Sequence, residues 1–309
     1  MIGASRLPLA RVACASFARL AARLAARLAA LAALTLAGGC AGKQGPHAAA
    51  APATAVSAPA ADSVTIALWR FDENGGSRAL DSGPYRLHGI AGSDTRTNFG
   101  RFRSARSFQR LDQSFVYVPY NPVMDPPGGF TIEAWIELHS VAPFELQPIA
   151  ARWSQSPGEQ SWVFGVTGQK LFSEAQLWFT DIVLGAPQNH LILGYQPLNA
   201  AAPRGVYSIS ALPLDRWVHV AATCDGEVVR LYIDGRLDAQ SAVTSGIRPS
   251  TAPLFVGSLF NERRLTDFGG DMRYENTTNQ ALLYQFAGDI DELRLSSAAR
   301  HTFDSAPLR

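Results

Sequence analysis

Short apolar runs, rich in β-branched and aromatic residues, recur along the chain from Val64 onward and are separated by turn residues. This pattern is typical of β-strands. The runs read VTIALWRF, FVYVPY, FTIEAWIEL, SWVFGV, AQLWFT, LILGY, VYSIS, WVHVAAT, EVVRLYIDG, PLFVGS and DELRL. Helical periodicity is nearly absent beyond residue 40. Many short strands at close spacing predict an all-β fold, with two antiparallel sheets packed as a β-sandwich or jelly roll.

Two Asp-Gly pairs mark tight turns between these runs. Asp225-Gly226 joins HVAAT to EVVRLYI, and Asp234-Gly235 turns the second run back toward Leu237. Aspartate followed by glycine supplies the positive φ angles that tight hairpin turns need. The sequence therefore predicts two consecutive hairpins in this region.

Residues 1–40 differ in composition from the rest of the chain. They carry five arginines and no acidic residue, and an apolar run from Leu28 to Leu36 precedes the small residues of LTLAGGC. This pattern predicts an export signal, because the run is too short for a permanent membrane span. The end of the run resembles a bacterial lipobox, which implies that Cys40 is acylated and becomes the N-terminus of the mature protein. The alternative is a signal peptide without lipid, in which Cys40 has no role.

Residues 41–63 are rich in alanine and proline and show no apolar periodicity, so we predict a disordered tether. Removing the signal leaves 22 basic and 26 acidic residues, a net charge of −4. This balance gives no reason to expect nucleic-acid binding. The lipobox resemblance implies an outer-membrane lipoprotein in the cell envelope of a Gram-negative bacterium. Its folded domain is expected to span residues 64–309.

Cys224 is the one cysteine within the predicted domain. It ends the apolar run WVHVAATC, where a small buried hydrophobic residue is the expected role. A reactive thiol is the alternative. In either case no disulfide partner is available inside residues 64–309, so the fold has to be stabilised by packing.

Seven segments, taken in order, carry a resemblance that covers nearly the whole predicted domain. They read ALWRFDE, ALDSGPYRLHGI, GRFRSARSFQRLDQSFVYVP, FTIEAWIEL, RWVHVAATCDGEVVRLYIDGRL, PLFVGS and FAGDIDELRLSSAAR. The order and spacing are similar to those of the laminin-G-like jellyroll domains of the concanavalin A-like lectin and glucanase superfamily. The resemblance implies two antiparallel sheets packed face to face, with the first and last strands side by side.

Because the same superfamily includes glucanases, a divergent glycoside hydrolase is one alternative function. Laminarinase-type members carry an E-x-D-x-x-E pattern, which places three carboxylates in the cleft. Glu133 and Glu137 lie on one strand face but have no aspartate between them. The chain also lacks the G-x-S-x-G, P-loop and H-E-x-x-H motifs. We therefore expect a module without catalytic residues.

Carbohydrate binding is the function that the resemblance favours, and a scaffold for protein–protein interaction or adhesion is the alternative. Sugars stack on aromatic rings while polar side chains bind their hydroxyl groups. Longer loops than the fold requires lie at residues 185–205 and 258–285, and loops commonly carry function. The candidates for ligand binding are Trp153, Trp162, Trp178, Tyr274, Arg263 and Arg264.

The segment FAGDIDELRLSSAAR places three acidic residues next to a strand. Strict alternation puts Asp291 on one face with Leu293 and Leu295, and Glu292 on the other. In related jellyrolls a structural Ca²⁺ ion often joins the terminal strands, and the resemblance implies a calcium site. Its candidate ligands are Asp291, Asp72, Asp81 and Asp289. The alternative is that Asp291 caps a turn and Glu292 pairs with an arginine.

Overall fold

A computed structural model describes the folded part of the chain. The described residues are 57–141, 146–154, 158–168, 187–243, 245–259, 265–267, 272–275 and 284–303. The predicted signal, Cys40 and most of the predicted tether lie outside these ranges. The boundaries drawn at residues 40 and 63 therefore stay predictions.

Among the described residues, eighteen β-strands account for nearly all of the regular structure. They are β1 (Thr65–Trp69), β2 (Arg78–Ala79), β3 (Gly89–Ala91), β4 (Arg96–Phe99), β5 (Ser104–Phe108), β6 (Val116–Val118), β7 (Phe130–Leu138), β8 (Leu146–Trp153), β9 (Gln160–Thr167), β10 (His190–Tyr195), β11 (Arg204–Ala211), β12 (Trp217–Cys224), β13 (Val228–Ile233), β14 (Arg236–Ala242), β15 (Leu254–Val256), β16 (Leu265–Asp267), β17 (Met272–Tyr274) and β18 (Gly288–Ser296). A 3₁₀ turn, Pro122–Met124, precedes β7. Among the described residues, no helix has the length and apolar character needed to cross a membrane.

Two eight-stranded antiparallel sheets form the body of the fold. The first sheet has the order β14-β13-β12-β7-β18-β5-β4, with β1 also paired to β18. The second has the order β11-β10-β9-β8-β15-β6-β3-β2. The predicted all-β, two-sheet sandwich is therefore confirmed. The first and last strands lie side by side as the family resemblance implied, since Thr65 pairs with Ser296 and Trp69 with Leu293.

The hydrophobic core lies between the two sheets, and β7 shows why the sequence folds this way. Successive side chains of a strand point to opposite faces. Ile132, Ala134 and Ile136 accordingly join the main core, while Glu133 and Trp135 lie on the outer face of the first sheet. These outer residues are also buried, so β7 is covered on both sides.

The two predicted turns differ in geometry. Asp234 and Gly235 both have positive φ, at 46° and 72°, as a two-residue hairpin turn requires. At the other turn only Gly226 has positive φ, and the connection includes Glu227. The Asp225 carboxylate stabilises that longer turn by accepting hydrogen bonds from the backbone N–H groups of Glu227 and Val228.

The segments predicted to be long loops contribute to the sheets and their cover. Residues 185–205 contain β10, which pairs with β9 and β11. From residues 258–285, the described ribbon β16–β17 lies over the second sheet, where Met272 and Tyr274 pack on Phe255. In its described parts, the second segment therefore covers the sheet.

Cys224 is buried in the main core at the end of β12. Burial raises the pKa of its thiol, and the backbone N–H of Gly226 donates to its sulfur. A protonated, enclosed thiol is a poor nucleophile. The predicted role as a small buried residue is confirmed.

Candidate functional site

The outer face of the first sheet carries a buried ionic cluster. Glu133 accepts a hydrogen bond from Arg294 Nε at 2.8 Å and lies 3.1 Å from His219 Nε2. Burial alone would raise the pKa of Glu133, but the hydrogen bond and charge of His219, together with Arg294, hold the pKa below its usual value. All three side chains are buried. We call Glu133, His219 and Arg294 the ionic triad.

Aromatic side chains cover this face of the sheet. Trp135 contacts Phe102 edge to face, and the Arg101 guanidinium lies 4.6 Å from the centre of the Trp135 ring. Phe303 packs against His219 at 5.3 Å. Because Glu133 is only 3% exposed, no substrate could reach it in this arrangement. The triad is placed to stabilise the sheet rather than to perform acid–base catalysis.

A bulge in β18 changes the side-chain alternation expected from the sequence. Its pairing with β7 shifts between Asp291 and Arg294, and Glu292 adopts a positive φ of 50°. Leu293 and Leu295 join the main core with Ile290. Asp291 contacts the opposite side, so the predicted grouping of Asp291 with the two leucines is wrong. An extra residue at a bulge reverses the face of every residue before it.

Asp291 and Glu292 are both enclosed at this bulge. Burial raises the pKa of Asp291 to about 8, although its Oδ2 accepts a hydrogen bond from the Phe102 backbone at 2.8 Å. Burial likewise raises the pKa of Glu292 to about 7, opposed by Arg70, whose Nη1 lies 3.0 Å from both Glu292 oxygens. The alternative that Glu292 pairs with an arginine is confirmed.

The four predicted calcium ligands do not converge. Asp81 is buried, and its carboxylate accepts hydrogen bonds from three backbone N–H groups, at Leu68, Gly83 and Leu87. Both of its oxygens accept backbone hydrogen bonds, and calcium binding by Asp81 stays a prediction. Its observed role is to hold the turn between β2 and β3 against β1. Among the described residues, the four aspartates therefore do not form one converging group.

The other predicted metal ligands lie in separate surroundings. Asp72 lies beside β5, where it accepts a hydrogen bond from the Ser104 backbone at 3.3 Å. Asp289 belongs to a different group, with Glu137 and His139. Calcium binding by Asp291 and Asp72 stays a prediction.

An open groove lies at the end of the sandwich where β7 begins. One half is a pocket of about 390 Å³, whose floor is Trp162 stacked on Phe130 at 5.6 Å. The other half is a cleft of about 510 Å³ next to Tyr85. The segment Asp125–Pro127 lines both halves. We call the pocket and the cleft together the loop-end groove.

Arg152 holds the walls of this groove together from inside the protein. Its side chain is fully buried and pairs with both oxygens of Asp125. The guanidinium also donates to the carbonyls of Met124 and Ser250. Met124 and Asp125 line the groove, and Ser250 directly follows its opposite wall at residues 245–249. One buried cation therefore fixes two loops that are distant in sequence.

The aromatic candidates predicted from the sequence are buried. Trp162 is 2% exposed and contributes to the groove only as its floor. Trp153 is 5% exposed and packs with Leu259 and Tyr284 in a second apolar cluster. Tyr274, within β17, packs against Phe255 of the second sheet. None of the three rings is exposed for stacking, because Trp162 lies in the main core between the sheets and the other two pack in smaller apolar clusters. Trp178, Arg263 and Arg264 lie outside the described residues, as does Cys40.

Several groove residues were missed by the sequence analysis. Tyr85 is 55% exposed and follows Pro84, and Arg248 lines the opposite wall. The only signal for them was turn composition, in SGPY and in SGIRPS. Turn composition marks a loop but does not indicate that two loops meet.

The sequence from residue 112 to 302 matches the Laminin_G_3 family, described as concanavalin A-like lectin/glucanases superfamily. The match covers more than half of the chain, which therefore belongs to this family. The resemblance inferred from the seven sequence segments is confirmed. No curated protein shows a significant match to the chain.

Solved structures share the fold at low sequence identity. The binding domain of Paraclostridial Mosquitocidal Protein 1 is 11% identical, with a TM-score of 0.52, covering 77% of this chain and 49% of that one. The botulinum neurotoxin serotype C1 binding domain is 13% identical, with a TM-score of 0.51 and the same coverage. Domain 4 of the arabinanase AbnA from Geobacillus stearothermophilus, in complex with arabinotriose, is 16% identical with a TM-score of 0.47, covering 78% of this chain and 95% of that one. The chain thus spans about half the length of the toxin structures, which are binding domains.

Proposed function

We propose that this protein is a non-catalytic carbohydrate-binding module of the cell envelope, held at the membrane by an acylated Cys40. The observation that carries the binding proposal is the loop-end groove. Its two halves, of about 390 and 510 Å³, fall within the usual size range of ligand sites. The ionic triad supports the non-catalytic part, because its glutamate, Glu133, is paired with His219 and Arg294 and is buried.

The chemistry of the groove suits a sugar chain. Pyranose rings present an apolar face to aromatic and proline rings, and their hydroxyl groups need polar partners at the edge. Tyr85 and Pro127 supply exposed apolar surface, while Ser63 and Asp62 lie along the cleft and Arg248 along the pocket. Because both halves share the Asp125–Pro127 wall, an extended glycan could occupy them in succession.

The fold comparison supports this proposal in general terms. A structure of botulinum neurotoxin type C, whose cell entry depends on interaction with two ganglioside molecules, shares the fold at 13% identity with a TM-score of 0.50. Ganglioside binding is a property of that toxin. The match covers 48% of that chain, so the comparison supports glycan binding only in general terms, and the position of the site in this chain rests on the groove alone.

Replacing Tyr85 with alanine is expected to weaken glycan binding. By analogy with the stacking of bases on aromatic rings, loss of one stacking ring costs about 1–3 kcal/mol, or roughly 5- to 150-fold in affinity. A glycan array should first identify the ligand, and calorimetry then compares the variants. Tyr207→Ala is the matched control, because Tyr207 is also exposed but lies on β11, outside the groove.

If the wild type and Tyr85→Ala bind the glycan with equal affinity, the binding site does not lie in the groove. Absence of binding to every cell-wall and plant glycan would instead favour a protein-interaction scaffold. Release of reducing sugar from a polysaccharide panel would identify the protein as a glycoside hydrolase.

The membrane anchor is tested at Cys40. Cys40→Ser is expected to abolish incorporation of a palmitate analogue and to release the protein from the membrane fraction, because the thiol is the proposed acylation site. Cys224→Ser is the control and should remain labelled, since that thiol is buried in the folded domain. A wild-type protein without label would show that the anchor assignment is wrong.

A further inference from the structure

A second polar site lies at the far end of β7 from the loop-end groove. One ligand atom from each of Glu137, His139 and Asp289 lies within 4.8 Å of the other two. His139 Nε2 is 3.5 Å from Asp289 Oδ2. Among the described residues, no other group of histidine, cysteine and acidic side chains converges in this way.

Strand pairing places these three side chains on one face. Glu137 and Asp289 are direct cross-strand neighbours in the β7–β18 ladder. His139 lies two residues beyond Glu137, and its backbone N–H donates to Ala287 at 3.0 Å, which extends the ladder. Residues two apart on a strand share a face, and a cross-strand pair is within side-chain contact distance. The backbone, rather than a mobile loop, therefore sets the geometry.

The negative charge of the group is poorly compensated within the protein. Asp289 is completely buried, and its Oδ2 accepts a hydrogen bond from Asn98 at 2.7 Å. Its Oδ1 is buried without any hydrogen-bond partner. Within the described part of the chain, neither carboxylate forms an ion pair with a lysine or arginine.

We propose that Glu137, His139 and Asp289 bind a divalent metal ion such as Zn²⁺ or Co²⁺. An unpaired buried carboxylate oxygen is costly, and a bound cation would supply the missing partner. One imidazole and two carboxylates suit zinc and its neighbours, whereas calcium and magnesium prefer a shell made of oxygen alone. His139 is 41% exposed, so the ion has an access path and room for water ligands.

The metal site is separate from the proposed glycan site. The nine residues of β7 span about 25 Å, with Phe130 at the groove and Leu138 next to His139. Metal removal should therefore leave glycan affinity unchanged. The two proposals can fail independently, because one is measured by metal titration and the other by glycan binding.

The test uses untagged, full-length protein that has been treated with EDTA and dialysed. Calorimetric titration with Zn²⁺, in the presence of excess Ca²⁺, is expected to show one saturable site per chain. Co²⁺ should give visible d–d absorption that Zn²⁺ abolishes. His139→Ala and Glu137→Gln should each weaken Zn²⁺ binding by about tenfold or more, since even residues outside the ligand shell change metal affinity by roughly 10- to 100-fold.

His301→Ala is the matched control, because His301 is also exposed but lies outside the group, and its Zn²⁺ affinity should equal that of the wild type. Melting temperatures measured without metal check that the variants fold. Binding of Zn²⁺ that is unchanged in both ligand variants would overturn the proposal. A Zn²⁺ titration without saturation would also overturn the proposal. The contact between His139 and Asp289 would then be an interaction within the protein only.

Discussion

Glu133→Ala is expected to lower the free energy of unfolding by about 3–5 kcal/mol, the usual cost of removing one partner of a buried ion pair. The change leaves the Arg294 guanidinium and His219 in a covered layer without their carboxylate. Arg294 would retain a hydrogen bond to the Ala60 carbonyl. Urea unfolding of both proteins at pH 7 measures the difference.

The effect of Glu133→Ala should depend on pH in a defined direction. The folded protein holds the pKa of Glu133 below its usual value of 4.5, so this carboxylate stabilises the fold at pH values above 4.5. That contribution is lost as the pH falls through the lower pKa of the folded state. The stability gap between the wild type and the variant should therefore be full at pH 6–7 and narrow in acid.

Glu227→Ala provides the control for Glu133, because Glu227 is exposed in the turn after β12. A change of less than about 0.5 kcal/mol is expected there. The ionic triad does not stabilise the fold as inferred if Glu133→Ala also lowers the free energy of unfolding by less than about 1 kcal/mol. The same conclusion follows if the difference in stability between the wild type and the variant grows in acid.

Arg152→Met is expected to lower the free energy of unfolding by about 2–4 kcal/mol and also to weaken glycan binding. The substitution keeps an apolar stem but removes the donors to Asp125, Met124 and Ser250. Buried carbonyls and a carboxylate would lose their partner, although Asp125 remains partly accessible to water. The two loops that wall the loop-end groove would no longer be held together.

Arg152→Lys separates charge from geometry at the same position. A lysine keeps the positive charge but cannot reproduce the planar, forked set of donors. We expect partial recovery of stability and little recovery of glycan affinity, as measured by urea unfolding and calorimetry. Full glycan affinity in Arg152→Met would show that the loops keep their positions without the guanidinium.

The sequence predicted the central strands well because their side chains alternate strictly. FTIEAWIEL coincides with β7, and WVHVAAT lies within β12. Strand β8 was missed, since Pro148 interrupts the pattern LQPIAARW. The structure accommodates that proline where the register with β9 shifts, and Gly165 opposite it leaves the needed space.

The candidate site was much harder to predict, for two physical reasons. The loop-end groove is assembled from turns distant in sequence, so no local pattern unites Tyr85 with Arg248. The bulge at Glu292 also changes the outward-facing set of β18, and an alternation rule cannot locate an extra residue. Aromatic content alone predicted more exposed rings than the structure has, because Trp153, for example, packs with Leu259 and Tyr284 in a buried cluster.

The pairing of β1 with β18 has a consequence for how this domain can be joined to other polypeptides. Thr65 and Ser296 face each other, so the chain enters and leaves the sandwich at one place. A domain of this kind can be inserted into a loop of a host protein without separating the ends of that loop. It then projects as a side branch, and its loop-end groove lies next to the junction, since Asp62, Ser63 and Ser297 line the cleft. A domain whose ends lie at opposite poles instead becomes a link that lengthens the chain.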